Sequence, residues 1–108
     1  MEKIIDQTIY YNLLLDTYGE ILTETQKEVL ESYYSLNLSI SEIASERNIS
    51  RAAVEDTIKK ATKKLEFYEE KLGFAGKNKE IKEALKDLRE LELGDEANQI
   101  IDFIDLNL

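Results

Sequence analysis

Four lysines, Lys59, Lys60, Lys63 and Lys64, stand close together in this chain. On a helix turning about 100° per residue they fall within one arc. That arc lies opposite the apolar positions Val54, Ile58, Ala61, Leu65, Tyr68 and Leu72, so the ammonium groups face water or a partner. Such a row can meet phosphate oxygens, and Arg51, eight residues ahead of Lys59, adds a guanidinium able to pair with a phosphate or read a base edge. Residues 39–64 hold six basic and four acidic side chains, a local +2, whereas the whole chain, with 14 basic and 23 acidic residues, is −9, leaving −11 elsewhere. The chemistry open to Arg51, Lys59, Lys60, Lys63 and Lys64 is therefore local phosphate contact, in a protein without the broad positive field of a general duplex binder. An ordinary solvated lysine face is the alternative reading of the same residues.

Other chemistry is poorly supplied. With neither cysteine nor histidine, the chain lacks thiol nucleophiles, imidazole bases and the usual zinc ligands. Glu66, Glu69, Glu70 and Asp56 do not make a hard-cation site, because three of them share one exposed helix with no loop oxygens to complete a shell. No carboxylate sits in an apolar run or beside a second acid in a recognisable pair, so no catalytic residue, metal site or cofactor is expected. Ser39 and Ser50 read as helix caps rather than nucleophiles. Tyr33 and Tyr34 could stack on bases. Helical spacing from Leu30 instead turns Tyr33 into the core and leaves Tyr34 half exposed.

The elements that must position these residues are helices. The chain has no proline, only two valines and many Leu, Glu, Lys and Ala residues, which favours an all-α fold. At 108 residues it is expected to form one domain with a core of its own. A first helix from Ile4 to Tyr18 should end at a left-handed Gly19. Thr23 and Gln26 form a capping box that opens a second helix reaching Ser35. Ser39 and Glu42 form another, with Leu38 and Ile43 placed as a hydrophobic staple for a short third helix to Arg47. Asn48 suits positive φ in the following turn, and Ser50 caps a fourth helix whose apolar residues from Val54 to Leu72 keep heptad spacing.

Gly73 should end that helix, with Phe74-Ala75-Gly76 as a linker to a C-terminal helical pair at about 77–108. Ile81, Leu85, Leu88 and Leu91 line the fifth helix, and Asp95 caps a sixth with Ala97, Ile100, Ile101, Ile104 and Leu108 on its face. Packing of the Val54 to Leu72 seam against helices five and six is expected, with a homodimer as the alternative. No stretch is apolar enough to span a membrane, and Met1-Glu2-Lys3-Ile4-Ile5-Asp6 lacks a signal peptide's basic-then-apolar order. A soluble, cytoplasmic protein without membrane insertion is expected.

Residues 40–54 have the grammar of a helix-turn-helix, within a motif of about 39–64. Ile43, Ile49 and Val54 supply the contact between the helices, Ala44 is small at their closest approach, and Asn48 turns the chain. The early positions of the second helix are Arg51, Ala52, Glu55 and Asp56, a poor set for reading bases, with Arg51 the one plausible reader.

With Leu22-Thr23, Gln26, Tyr33-Tyr34, Ser39, Glu42-Ile43-Ala44, Ser50-Arg51, Ala53-Val54, Asp56, Ile58-Lys59, Leu65, Tyr68-Glu69 and Lys71-Leu72 in this order and spacing, the chain resembles the YlxM family. These are small helix-turn-helix proteins typically encoded beside the signal recognition particle GTPase, distantly similar to region four of primary sigma factors. The resemblance implies a cytoplasmic, non-enzymatic accessory protein acting in the signal recognition particle pathway through its RNA or its GTPase. A DNA-binding transcriptional regulator acting on duplex DNA is the alternative. Ala52 stands where the family usually has glutamine and Glu55 where it usually has tyrosine, and both exchanges remove groups that could hydrogen-bond to or stack on a base. Lys60, where arginine is common, keeps charge but loses bidentate phosphate geometry.

Overall fold

A computed structural model of the chain describes residues 5–108. Among them are six α-helices and no strand: α1 (Ile5–Tyr18), α2 (Glu24–Leu30), α3 (Ile40–Arg47), α4 (Arg51–Leu72), α5 (Phe74–Glu90) and α6 (Asp95–Leu106). The fold is all-α, as composition and periodicity predict. Ile4, the expected start of α1, lies outside the described residues. The helices fall into two units, one ending at Leu72 and one beginning at Gly73.

In the first unit, α1, α2 and α3 all pack on α4. Val54, Ile58, Ala61 and Leu65 are at most 1% exposed. They are met by Leu14 and Leu15 from α1, Val29 and Leu30 from α2, and Ile43 and Ala44 from α3, all of them buried. Full burial of each large side chain contributes roughly 1.5–3 kcal/mol, so this set is the main source of the unit's cohesion. The seam is thus covered from the N-terminal side of the sequence, by α1, α2 and α3. Burial also fades along it, Tyr68 being half-buried and Leu72 exposed.

Local signals place the helix starts. Thr23 accepts from the Gln26 amide at 3.1 Å while the Gln26 side chain accepts from the Thr23 amide at 3.1 Å, and Ser39 and Glu42 repeat the arrangement at 3.0 and 3.1 Å. Each box satisfies two amides that a helix start leaves without partners.

Four local expectations are corrected. Gly19 is not left-handed; it begins a 3-10 turn, Gly19–Ile21, closed by a 3.1 Å bond from the Leu22 amide to the Gly19 carbonyl. Leu22 is buried, and the tightened turn carries the chain directly to it.

The second correction concerns Tyr34. Helix α2 runs into a single π turn, Glu31–Ser35, whose wider winding accommodates one more residue per turn than an α-helix. Both Tyr33 and Tyr34 are therefore buried, at 2% and 7% exposure, with ring centroids 4.8 Å apart and edge-on. Asn12 of α1 holds this turn: its amide donates to the Tyr34 carbonyl at 3.0 Å, and its side-chain oxygen accepts from the Ser35 hydroxyl at 2.8 Å.

In the second unit there is no linker at Phe74-Ala75-Gly76. Gly73, at φ +66°, makes the turn alone, and the Lys77 amide bonds back to its carbonyl at 3.1 Å, so α5 begins at Phe74. Only glycine takes this left-handed geometry without penalty, which is why one residue suffices. Lastly, Asp95 is the first residue of α6 rather than its cap; Gly94, at φ +102°, precedes it without a side-chain cap. Asp95 and Glu96 instead place two carboxylates in the first turn, where the helix dipole favours negative charge.

Candidate nucleic-acid interface

The turn between α3 and α4 is built from short-range bonds. Asn48, at φ +55° and ψ +45°, donates its amide toward Ser45, and the Ile49 amide reaches the Ala44 carbonyl at 3.1 Å. These are the paired bonds of a Schellman ending. Ser50 then caps α4 by accepting from the Ala53 amide at 3.0 Å. Ile43 and Val54 are buried across the junction, as predicted. Ile49 is not a full member of that contact: it is 39% exposed, because the turn points it partly outward. Arg47 pairs with Glu28 of α2 at 2.9 Å, which ties the short α3 to the helix before it.

The surface of α4 carries every cation singled out in the sequence. Arg51, Lys59, Lys60 and Lys63 are exposed and Lys64 is half-buried. The helix gathers the four lysines into about 7.5 Å of axis, at about 1.5 Å per residue. It does not bring Arg51 among them. Arg51 lies about 12 Å nearer the N-terminus, on the flank of the arc. Lys60 pairs with Asp56 at 2.9 Å; Arg51, Lys59, Lys63 and Lys64 make no ion pair among the described residues. Lys59 with Lys63 and Lys60 with Lys64 form two like-charged pairs four residues apart. Each such pair costs a helix a few tenths of a kcal/mol unless an anion lies against it.

Two carboxylates close to the lysines in sequence are turned to structural use. Glu66 accepts a short bond from the Tyr11 hydroxyl, and Glu69 accepts from the Tyr18 hydroxyl at 2.6 Å, so both tie α1 to α4. Burial and the bond to Glu66 raise the Tyr11 phenol well above its ordinary range, and burial pushes Tyr34 up to about 12. Neither phenol ionises near neutrality. Among the described residues no cluster of acidic side chains could hold a metal ion, and no helix is long and apolar enough to cross a membrane.

Residues 5–104 match the model of the UPF0122 family, described as "Putative helix-turn-helix protein, YlxM / p13 like". The chain belongs to the UPF0122 family. It is 40% identical over 106 residues to a UPF0122 protein of Thermoanaerobacter sp. (strain X514), covering 92% of this chain and 91% of that one. Over 101 residues it is 42% identical to a UPF0122 protein of Clostridium kluyveri, covering 94% and 80% of the two chains. A Fusobacterium nucleatum relative is 42% identical over 87 residues, covering 81% and 84%. The resemblance seen in the sequence is thereby confirmed, and it takes in the C-terminal helices as well as the helix-turn-helix.

In this UPF0122 member the α4 surface adds a ring and a cation, Phe67 and Lys71, that the sequence did not mark as site residues. Phe67 is 54% exposed and follows Lys63 by four positions, on the lysine arc. Lys71, four residues further, places its ammonium 5.7 Å from the Phe67 ring centre. An exposed ring bordered by cations can stack on an unpaired base while its neighbours meet the backbone. The signal for it in the sequence is the four-residue spacing of Lys63, Phe67 and Lys71, with Phe67 outside the apolar seam.

Proposed function

We propose that this chain is a non-enzymatic, cytoplasmic accessory protein of the signal recognition particle pathway that binds the particle's RNA through α4. Supporting this reading most directly is the lysine arc, whose two like-charged pairs form no ion pair among the described residues except Lys60 with Asp56. An RNA phosphate backbone relieves that repulsion, and Lys59, Lys60, Lys63 and Lys64 make the contacts, with Arg51 as an outlying phosphate clamp. The pathway itself comes from family resemblance. RNA is preferred over sequence-specific DNA because the first turns of α4 offer Ala52, Ala53, Glu55 and Asp56, which cannot read a major groove well.

The helix-turn-helix geometry favours one further reading, a regulator acting on duplex DNA. Fluorescence anisotropy of labelled signal recognition particle RNA, with unlabelled duplex DNA as competitor at low and physiological salt, separates the two. Binding that duplex fails to displace, and that is lost when the four lysines are changed to Gln, supports the RNA reading. Displacement by duplex, with a log–log salt slope of about −3.6 for four phosphate contacts on B-DNA, supports the regulator. Absence of binding at low salt rejects both and directs attention to the GTPase as a protein partner.

A further inference from the structure

The hairpin of α5 and α6 has two unlike faces. Its ion pairs run in opposite sequence order, Lys82 with Asp105 at 3.1 Å and Arg89 with Asp102 at 2.6 Å, as antiparallel helices require. Leu85 and Ile101, 5% and 4% exposed, lie where the two helices meet. On a wheel of about 100° per residue, the paired charges of each helix fall to one side of these two residues, and most of the large apolar side chains fall to the other. In an antiparallel pair the matching sides coincide, so one face of the hairpin is closed by ion pairs and the opposite face is apolar.

That apolar face is open. Ile81 and Leu88 of α5 and Leu91 just after it are 41%, 39% and 64% exposed, and Ile100, Phe103 and Ile104 of α6 are 60%, 69% and 37% exposed. Six large apolar side chains on one continuous surface exceed the scattered exposure of an ordinary monomer, and such a surface marks a protein interface.

The rim decides what covers it. Glu80 and Asp87 line the outer edge of α5, Glu96 lies with Phe103 along that of α6, and all three carboxylates are exposed. Lys77, at the start of α5, is the one cation on that side. A second copy is a poor fit. With a two-fold axis along the helices, the α5 edge meets the α6 edge; with the axis across them, each edge meets itself. The second sets the Glu80 and Asp87 edge against its own copy, and neither offers the acidic rim a row of cations. A helix with an apolar stripe flanked by lysine or arginine matches both features.

We propose that the open face of the α5–α6 hairpin binds a basic amphipathic helix of another protein, its apolar stripe seated on the six side chains and its cations on Glu80, Asp87 and Glu96. This is helix-on-groove recognition. It does not depend on nucleic-acid binding by α4.

The test uses the full chain and two labelled 18-residue probes, helical peptides with the same leucine stripe flanked by lysine in one and by glutamate in the other. Saturable one-to-one binding of the lysine peptide is expected, with none of the glutamate peptide. Leu88→Gln with Phe103→Gln, which keeps every charge, should weaken binding at least tenfold, and Glu80→Gln with Asp87→Gln and Glu96→Gln several-fold. Lysine-peptide binding unchanged in the Leu88/Phe103 variant would reduce the interaction to general attraction and overturn the proposal. Equal binding of both peptides would overturn it too. So would a dimer in sedimentation velocity at micromolar concentration that the same double variant dissociates, since a second copy would then own the face.

Discussion

The two units of this protein use the same kind of amphipathic helix to opposite effect. In the first, α4 turns its apolar seam into a core because α1, α2 and α3 all pack against it, and Val54, Ile58, Ala61 and Leu65 are essentially inaccessible. In the second, α5 and α6 pack on each other, so Leu85 and Ile101 are covered while Leu91, Ile100 and Phe103 stand out. A helix's apolar periodicity therefore states that a face needs cover; the number and geometry of neighbours decide whether the chain supplies it. The contrast extends to charge. The first unit's open face is the lysine arc of α4, and the hairpin's open face is apolar with an acidic rim, so the two surfaces suit different partners.

The sharpest way to test this contrast is to truncate one seam residue in each unit. Ile58→Ala should cost about 3 kcal/mol in chemical denaturation, since Ile58 is 1% exposed. Leu91→Ala, at a position 64% exposed, should change stability by less than about 0.5 kcal/mol. Equal losses would mean that the hairpin face is covered in solution.

The turns offer a second comparison, since Asn48 in the first unit and Glu92 in the hairpin both adopt positive φ, at 55° and 50°. Asn48→Ala should cost about 1 kcal/mol, because the left-handed region penalises a Cβ that has no side chain to compensate. Glu92→Gly should instead stabilise by about 0.5 kcal/mol as that strain is released. Thermal unfolding of the two variants reads both signs.

Alkaline pH should separate the units as well, because all six tyrosines lie before Gly73. Tyr34 ionises near 10 when unfolded and near 12 in the fold, so between those values the unfolded state sheds its proton first and stability falls as pH rises. Below about pH 10 its contribution is constant. Denaturation midpoints at pH 8, 10 and 11.5 should show the decline, and Tyr34→Phe should reduce its slope.

The smallest effect is expected on the lysine arc. Lys63→Gln should raise stability by about 0.3 kcal/mol at low salt by relieving the pair with Lys59, while weakening the proposed RNA binding. A loss of stability on that substitution would show that the arc holds the fold together rather than awaiting an anion.

Much of the first unit was legible without the fold. Both capping boxes, the Asn48 turn, the Ser50 cap and the ends of α3 and α4 follow from residues within about four positions of each other. The lysine arc was also legible, because helical geometry alone groups Lys59, Lys60, Lys63 and Lys64. Other features escaped because they depend on distant partners. Tyr34 is buried through a π turn held by Asn12, twenty-two residues away. Glu66 and Glu69 looked like solvated carboxylates until α1 brought Tyr11 and Tyr18 to them. Phe67 is different, since its place between Lys63 and Lys71 is a local spacing that lies off the apolar seam.

By itself, then, the sequence determined the helices, most of their caps and which faces are apolar or basic, since hydrogen bonding near helix ends and a period of about 3.6 residues are short-range matters. Tertiary structure alone decided which apolar faces find cover. It assigned α1, α2 and α3 to the α4 seam and left the face of α5 and α6 open. Burial is a property of neighbours distant in sequence, and no local pattern specifies who they are.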